Sequence, residues 1–241
     1  MKVNYVHFTT IESTNDWAME NSSSLDPAQL TVIIADEQTA GHGRQGRPWI
    51  SPAQQNLYMT LCIFPSKTSV NYSLLTFVMA LAVAKVLKEY GMNAEIKWPN
   101  DLIIGGKKIG GILCESKTAG SSYFIAIGVG LNVNMPKEEL ERVGRPATSI
   151  AVESGQTVSI ESIKDSLVSN FITEYNIFME KGFAPFVEPL RRRMKTDTAI
   201  RFHHGNTIIN GVLKSFNEDG SITLVAEDGT QKTFVSGEIL N

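Results

Sequence analysis

Between Gln38 and Trp49 three glycines alternate with histidine and arginine: Gly41-His42-Gly43-Arg44-Gln45-Gly46-Arg47-Pro48-Trp49. Glycine gives no side-chain cover and lets backbone approach a ligand closely. Arginine offers a planar fork of donors matched to carboxylate and phosphate. The combination predicts a mobile loop that closes over an anionic small molecule. Gly41, Gly43 and Gly46 also fit the G-x-G-x-x-G spacing of dinucleotide sites. That motif needs a helix to start at once, whereas Pro48, Ser51 and Pro52 follow here. Nor does an acidic residue end a second strand about 20 residues on. No H-R-D or D-F-G occurs, which removes a protein-kinase glycine loop. The plain alternative is a solvated basic loop.

Four further stretches carry polar groups at useful spacing. In Lys97-Trp98-Pro99-Asn100-Asp101 a lysine ends a strand and a carboxylate follows. Pro-Asn-Asp alone is a common turn, but lysine and aspartate so placed also suit a nucleotide triphosphate and its magnesium. In Gly106-Lys107-Lys108-Ile109-Gly110-Gly111-Ile112-Leu113, two glycines on a strand make room for a flat ligand beside a lysine. Paired lysines are more often simply solvated. Gly128-Val129-Gly130-Leu131-Asn132-Val133-Asn134 again combines close-approach glycines with amides. Ser13-Thr14-Asn15 reads as a helix cap whose hydroxyls and amide also suit a polar ring or a carboxylate.

The elements that must position these groups follow from hydrophobic periodicity. Lys2 to Phe8, Thr31 to Ile34, Asn56 to Phe64, Ala94 to Trp98 and Tyr123 to Val133 read as strands. Leu102 to Glu115, turning at Gly105-Gly106, reads as a hairpin. Helices are predicted from Ser13 or Thr14 to Glu20, from Tyr72 to Tyr90 with Gly91 as its stop, and from Ser159 to Phe178. Pro185 and Pro189 read as punctuation in a connection, and Arg191-Arg192-Arg193 as a solvated helix end. From Thr196 onward short alternating runs, separated by Asn217–Gly220 and Glu227–Gly229, predict a small five-stranded barrel. The fold class is therefore α+β, a mixed β-sheet domain over residues 1–190 followed by a second unit over 191–241.

Composition bounds the chemistry. The 241 residues are 42% hydrophobic and 20% charged, as in an ordinary soluble globular protein. A net charge of −3 argues against a partner held by a basic field, so no DNA is expected. Cys62 and Cys114 lie in apolar runs and read as buried free thiols in a reducing compartment. Met1 to Tyr5 has no apolar core, and Leu74 to Ala84 is too short to span a membrane. A cytoplasmic enzyme or binding protein is expected.

In this order the motifs closely resemble the biotin–protein ligase family, over essentially the whole chain. The resemblance is carried by Ser13-Thr14-Asn15, the run from Gln38 to Trp49, Lys97 to Asp101, Lys108 to Leu113, Gly128 to Asn134, and the ending Gly237-Glu238-Ile239. It implies a catalytic domain of the class II aminoacyl-tRNA synthetase and biotin–lipoate ligase kind, with a C-terminal SH3-like barrel. It also implies a two-step reaction. Biotin and Mg-ATP give biotinyl-5′-AMP and pyrophosphate; the adenylate then acylates a lysine of a biotin carboxyl carrier protein. By this resemblance Lys108 bridges the biotin carboxylate and the α-phosphate. Arg44 and Arg47 hold phosphates and close the loop. Lys97 serves the triphosphate, Asp101 the Mg2+, and Trp49, Asn100 and Asn132 the adenylate side. Ser13, Thr14, Asn15, Gln38, His42, Gly43, Gly111 and Leu113 form the biotin site.

His42 stands where the family's loop often has arginine, and a neutral histidine donates less to a carboxylate. Only Met1 to Glu12 precede Ser13, so the chain looks like the monofunctional class, without a winged helix. Three rival readings remain: a lipoate–protein ligase of the same fold, a biotin-responsive repressor, and a non-catalytic biotin-binding module. A homodimer through the catalytic sheet is possible.

Overall fold

Runs of β-branched and aromatic residues on both sides of each motif build one large sheet. The computed structural model describes residues 1–65, 71–119 and 122–240; Asn241, assigned above to the second unit, and residues 66–70 and 120–121, assigned to the first, lie outside them. The sheet has seven strands in the order β1-β2-β3-β7-β6-β5-β4. They are β1 (Lys2–Ile11), β2 (Gln29–Gln38), β3 (Leu57–Ile63), β4 (Glu95–Lys97), β5 (Asp101–Ile104), β6 (Lys107–Ala119) and β7 (Ser122–Leu131). β1 and β2 run parallel and every other pair is antiparallel. All seven residues of β3 are buried, as for a strand covered on both faces.

Alternation sorts the side chains onto two faces. Val32 and Leu61 join the main core beneath α2 (Leu75–Glu89), whereas Ile33 and Cys62 pack on the other face with Ala18 of α1 (Thr14–Asn21). Two short helices follow the large sheet, α3 (Lys137–Leu140) and α4 (Ile150–Ser154); Ile150 of α4 joins the main core, which continues in α5 (Ile160–Lys181). α5 buries Ile163, Leu167, Phe171, Tyr175 and Phe178, five of the six positions that its periodicity puts on one face; the sixth, Ile160, in the first turn, is half-buried. Pro185 and Pro189 do not mark a connection. They lie within α6 (Ala184–Arg191), Pro185 in the first turn, where a missing N–H costs nothing, and Pro189 in the last. Among the described residues no helix is long and apolar enough to cross a membrane.

The second sheet is antiparallel throughout, in the order β11-β10-β9-β8-β12. Its strands are β8 (Thr198–His204), β9 (Thr207–Phe216), β10 (Ile222–Ala226), β11 (Gln231–Phe234) and β12 (Glu238–Ile239). It packs on the first unit through α6, α2 and Trp98. The buried Trp98 indole donates to the Gly220 carbonyl at 3.0 Å. Arg191 Nε donates to the Phe216 carbonyl at 2.8 Å, and the Phe77 and Phe216 rings lie 5.0 Å apart.

Candidate active site

The motifs meet at one end of the large sheet because β2, α1, β6 and β7 all present an end or a glycine there. Ser13 caps α1, accepting from the Asp16 N–H at 3.3 Å. The cap turns Thr14 and Asn15 inward. Thr14 donates twice to Gln38 Oε1, from its backbone at 2.9 Å and its hydroxyl at 3.1 Å. The Gln38 amide nitrogen in turn donates to Ser51 Oγ at 3.1 Å. Gln38 thus ties the helix start to the far end of the glycine–arginine loop. Asn15 donates to Glu115 at 2.7 Å and accepts from Thr60 Oγ1 at 2.8 Å. A Cβ on Gly128 would lie 2.4 Å from Asn15 Oδ1, so only glycine admits this network.

Lys108 is at the centre. Its side chain is 13% exposed, and its ammonium lies 2.5 Å from Asp101 Oδ1 and 5.3 Å from the centre of the Trp49 ring. Burial pushes the Lys108 pKa down, against the pull of Asp101. Trp49 lies flat against Gly130, where a Cβ would fall 2.5 Å from the ring. Its buried indole N–H has no hydrogen-bond partner among the described residues, which leaves a donor for a ligand.

Protein groups hold the loop closed. At its base the Trp49 N–H donates to the Gly41 carbonyl and the Gly43 N–H to the Arg47 carbonyl, each at 2.8 Å. Arg44 donates to the Gly237 carbonyl at 3.2 Å and lies 3.5 Å from Asn100 Oδ1. Arg47 pairs with Glu238, and that pair holds the Glu238 carboxyl below its usual range. Sequence reading assigned these catches to a bound anion; the second sheet supplies two of them.

One cavity gathers Ser13, Thr14, Asn15, Gln38, His42, Gly43, Arg44, Arg47, Trp49, Asn100, Asp101, Lys108, Gly111 and Leu113. Two expected residues lie outside it. Lys97 lines an adjoining groove of about 530 Å³ between the two sheets. Asn132 is buried, donates to the Thr148 carbonyl at 2.9 Å, and lines a small neighbouring hollow. Two residues that sequence reading missed complete the site, Arg145 and Glu238. Glu238 had no local signal beyond its place in the chain's ending; Arg145 had none.

Among the described residues no three His, Cys, Asp or Glu side chains converge as a metal site. Asp101 is the carboxylate beside Lys108, so a magnesium ion entering with a triphosphate would take most ligands from phosphate and water. Both cysteines are free; Cys62 is buried, but Cys114 is only partly so, against expectation. Burial pushes both thiols up to about 12, which removes them as nucleophiles.

Residues 7–132 match the model of the biotin/lipoate A/B protein ligase family. The chain is 31% identical over 227 residues to the biotin–[acetyl-CoA-carboxylase] ligase of Paracoccus denitrificans, covering 91% of this chain and 93% of that protein. It is 30% identical to the bifunctional ligase/repressor BirA of Escherichia coli, over 95% of this chain and 71% of that one. Its structure resembles that of biotin protein ligase from Aquifex aeolicus in complex with biotin and ATP, with a TM-score of 0.82, 26% identity, and 98% and 97% of the two chains covered.

Proposed function

The chain belongs to the biotin/lipoate A/B protein ligase family, and on that footing we propose that it joins biotin to a carrier protein at the cost of ATP. The first step makes an oxygen–phosphorus bond between the biotin carboxylate and the α-phosphorus of ATP and breaks the α–β bond, releasing pyrophosphate. In the second, a lysine amine of a biotin carboxyl carrier protein attacks the adenylate carbonyl. AMP leaves and the amine loses a proton. The acceptor is the carrier of a carboxylase, in keeping with the ligases named above.

The observation that carries this reading is the half-buried Lys108–Asp101 pair beneath two loop arginines. Joining two anions requires positive charge at the reacting centre. Lys108 exchanges Asp101 for the carboxylate and α-phosphate, which frees Asp101 for Mg2+ arriving with ATP. Arg44 and Arg47 lie over the same cavity and take the phosphates. Trp49, Asn100 and Asn132 serve the adenylate side, and Lys97, in the adjoining groove, the triphosphate. Ser13, Thr14, Asn15, Gln38, His42, Gly43, Gly111 and Leu113 surround the biotin end; Gln38 acts by ordering Thr14. Closing the loop keeps water from the anhydride until the carrier arrives.

We assign residues 1–190 to a catalytic domain and 191–241 to a small SH3-like barrel. Free thiols support a cytoplasmic setting, and the net charge of −3 supports a reading without DNA. The ten-residue edge strand β1 is the place for a homodimer contact. The test is pyrophosphate release from ATP with biotin or lipoate, followed by mass spectrometry of an added carrier. Biotin-dependent release and one biotin per carrier are expected. Lipoate loading instead, or biotin binding without release, would favour a rival. Lys108→Ala should fold normally and lose at least about 10²-fold in release.

A further inference from the structure

Three cavities converge on this site, and Lys108 and Arg145 line all of them. The first holds the loop and the biotin end. The second is the groove between the sheets, which carries Lys97 and Lys195. The third is the small hollow beside Trp49, Ile50 and Asn132. That hollow, at about 10 Å³, is too small to hold a nucleoside as it stands, but a carboxylate in the first cavity and a polyphosphate in the second meet beside Lys108 and Arg145. In the adenylation step that meeting point is the α-phosphorus. It carries the incoming carboxylate, the departing pyrophosphate and the nucleoside.

Backbone geometry fixes Arg145 there. The Lys108 N–H donates to the Pro146 carbonyl, and the Thr148 N–H donates to the Lys108 carbonyl, each at 2.9 Å. Lys108 and Ala147 thus form a parallel bridge. Gly144, at φ 76°, turns the chain into this strap. Arg145 therefore travels with Lys108 as one backbone unit. Its charge is uncompensated. Among the described residues the guanidinium has no hydrogen bond or ion pair, while the nearby carboxylates are taken, Asp101 by Lys108 and Glu238 by Arg47. A partly buried cation beside a second cation is costly unless an anion joins them.

We propose that Arg145 is a catalytic residue of the adenylation step, binding the phosphate at the bond that breaks and neutralising charge on the departing pyrophosphate. This rests on the function proposed above. Lys108 faces the carboxylate that attacks; Arg145 faces the group that leaves. The second step has no pyrophosphate, so Arg145 has less to do there.

Arg145→Ala and Arg145→Lys, with the exposed neighbour Arg142→Ala as control, separate the two halves of the reaction. Adenylation is read as biotin-dependent pyrophosphate release under single-turnover conditions. Transfer is read from synthetic biotinyl-5′-AMP to the carrier. For Arg145→Ala we expect adenylation to fall about 10²-fold at saturating biotin and ATP, while transfer falls far less. Lysine should restore part of the loss, and Arg142→Ala should match wild type. Adenylation by Arg145→Ala at a near wild-type rate overturns the proposal. So does equal loss in both half-reactions, which marks a structural role. If wild type itself releases no pyrophosphate with biotin, the functional reading falls first.

Discussion

His42 meets an oxygen at each ring nitrogen. Nε2 lies 3.0 Å from both Asp16 carboxylate oxygens and Nδ1 lies 3.4 Å from the Gly43 carbonyl. Only the imidazolium donates at both positions. Burial opposes the charge, but the Asp16 hydrogen bond and charge, the Gly43 carbonyl and Glu115 outweigh it, so the pKa lies above the ordinary histidine value. The clasp between loop and helix is complete below the pKa of a free histidine, about 6.5. It is lost as pH rises through the higher value of the closed loop. Asp16 is 48% exposed, so water screens the pair and the swing is about two- to fivefold in loop closure. Release of radiolabelled biotinyl-AMP, chased with unlabelled adenylate, should quicken by that factor from about pH 6 to pH 8.5. His42→Arg should release slowly at every pH and His42→Gln quickly at every pH. A wild-type rate that does not change with pH removes the clasp. The family resemblance marked His42 as a departure from arginine but not its compensation, because Asp16 lies 26 residues away on another element. Arg145 was silent for the same reason: its meaning comes from a backbone bridge to Lys108, and a lone arginine after a glycine has no motif.

At the scale of elements, the loop from Gly41 to Trp49 is a short strap fastened at its base by backbone and at its tip by arginines. Arg44 is the better buried of the two, and burial lowers its pKa against the pull of Glu238 and Asp101. A charge-assisted hydrogen bond contributes about 1.5–3 kcal/mol, which corresponds to a ten- to hundredfold change in closure. Arg44→Gly should therefore still form adenylate but release it, and free adenylate acylates exposed amines on any protein. Incubation with biotin, ATP and serum albumin, followed by a biotin blot, reads this directly. If the variant makes adenylate and labels albumin no more than wild type, Arg44 does not hold the loop. Strands and long helices were readable because each carries its own period. α5 was read from six positions spaced three or four apart, Ile160 to Phe178, of which all but Ile160 are buried. α6 was misread because two prolines outweighed its apolar face; Pro185 sits in the first turn, where the helix tolerates it, while Pro189 lies inside the helix at the loss of one backbone hydrogen bond. α3 and α4, of four and five residues, are too short to show a period at all.

At the scale of the whole molecule, the two sheets share one fastening around Trp98. The indole is 2% exposed, donates to Gly220 and meets the Phe202 ring at 5.9 Å. Trp98→Phe orphans a buried carbonyl and leaves a void, which together should cost about 2–4 kcal/mol. Urea unfolding should show a lower midpoint at an unchanged slope; a loss under about 0.5 kcal/mol would show that Trp98 carries little of the join. Sequence marked Lys97 to Asp101 for chemistry and missed this mechanical duty, since the partner lies 122 residues on. The loop's catches reach further still. Arg44 and Arg47 close on Gly237 and Glu238, 193 and 191 residues later. During synthesis the loop therefore leaves the ribosome long before its catches exist. A chain halted or clipped before Gly237 keeps Lys108 beside Asp101 but loses the Gly237 and Glu238 catches, leaving Arg44 only its contact with Asn100. Such a fragment, if it folds, would make a reactive acyl phosphate and spill it, so complete translation itself acts as the safety on this chemistry.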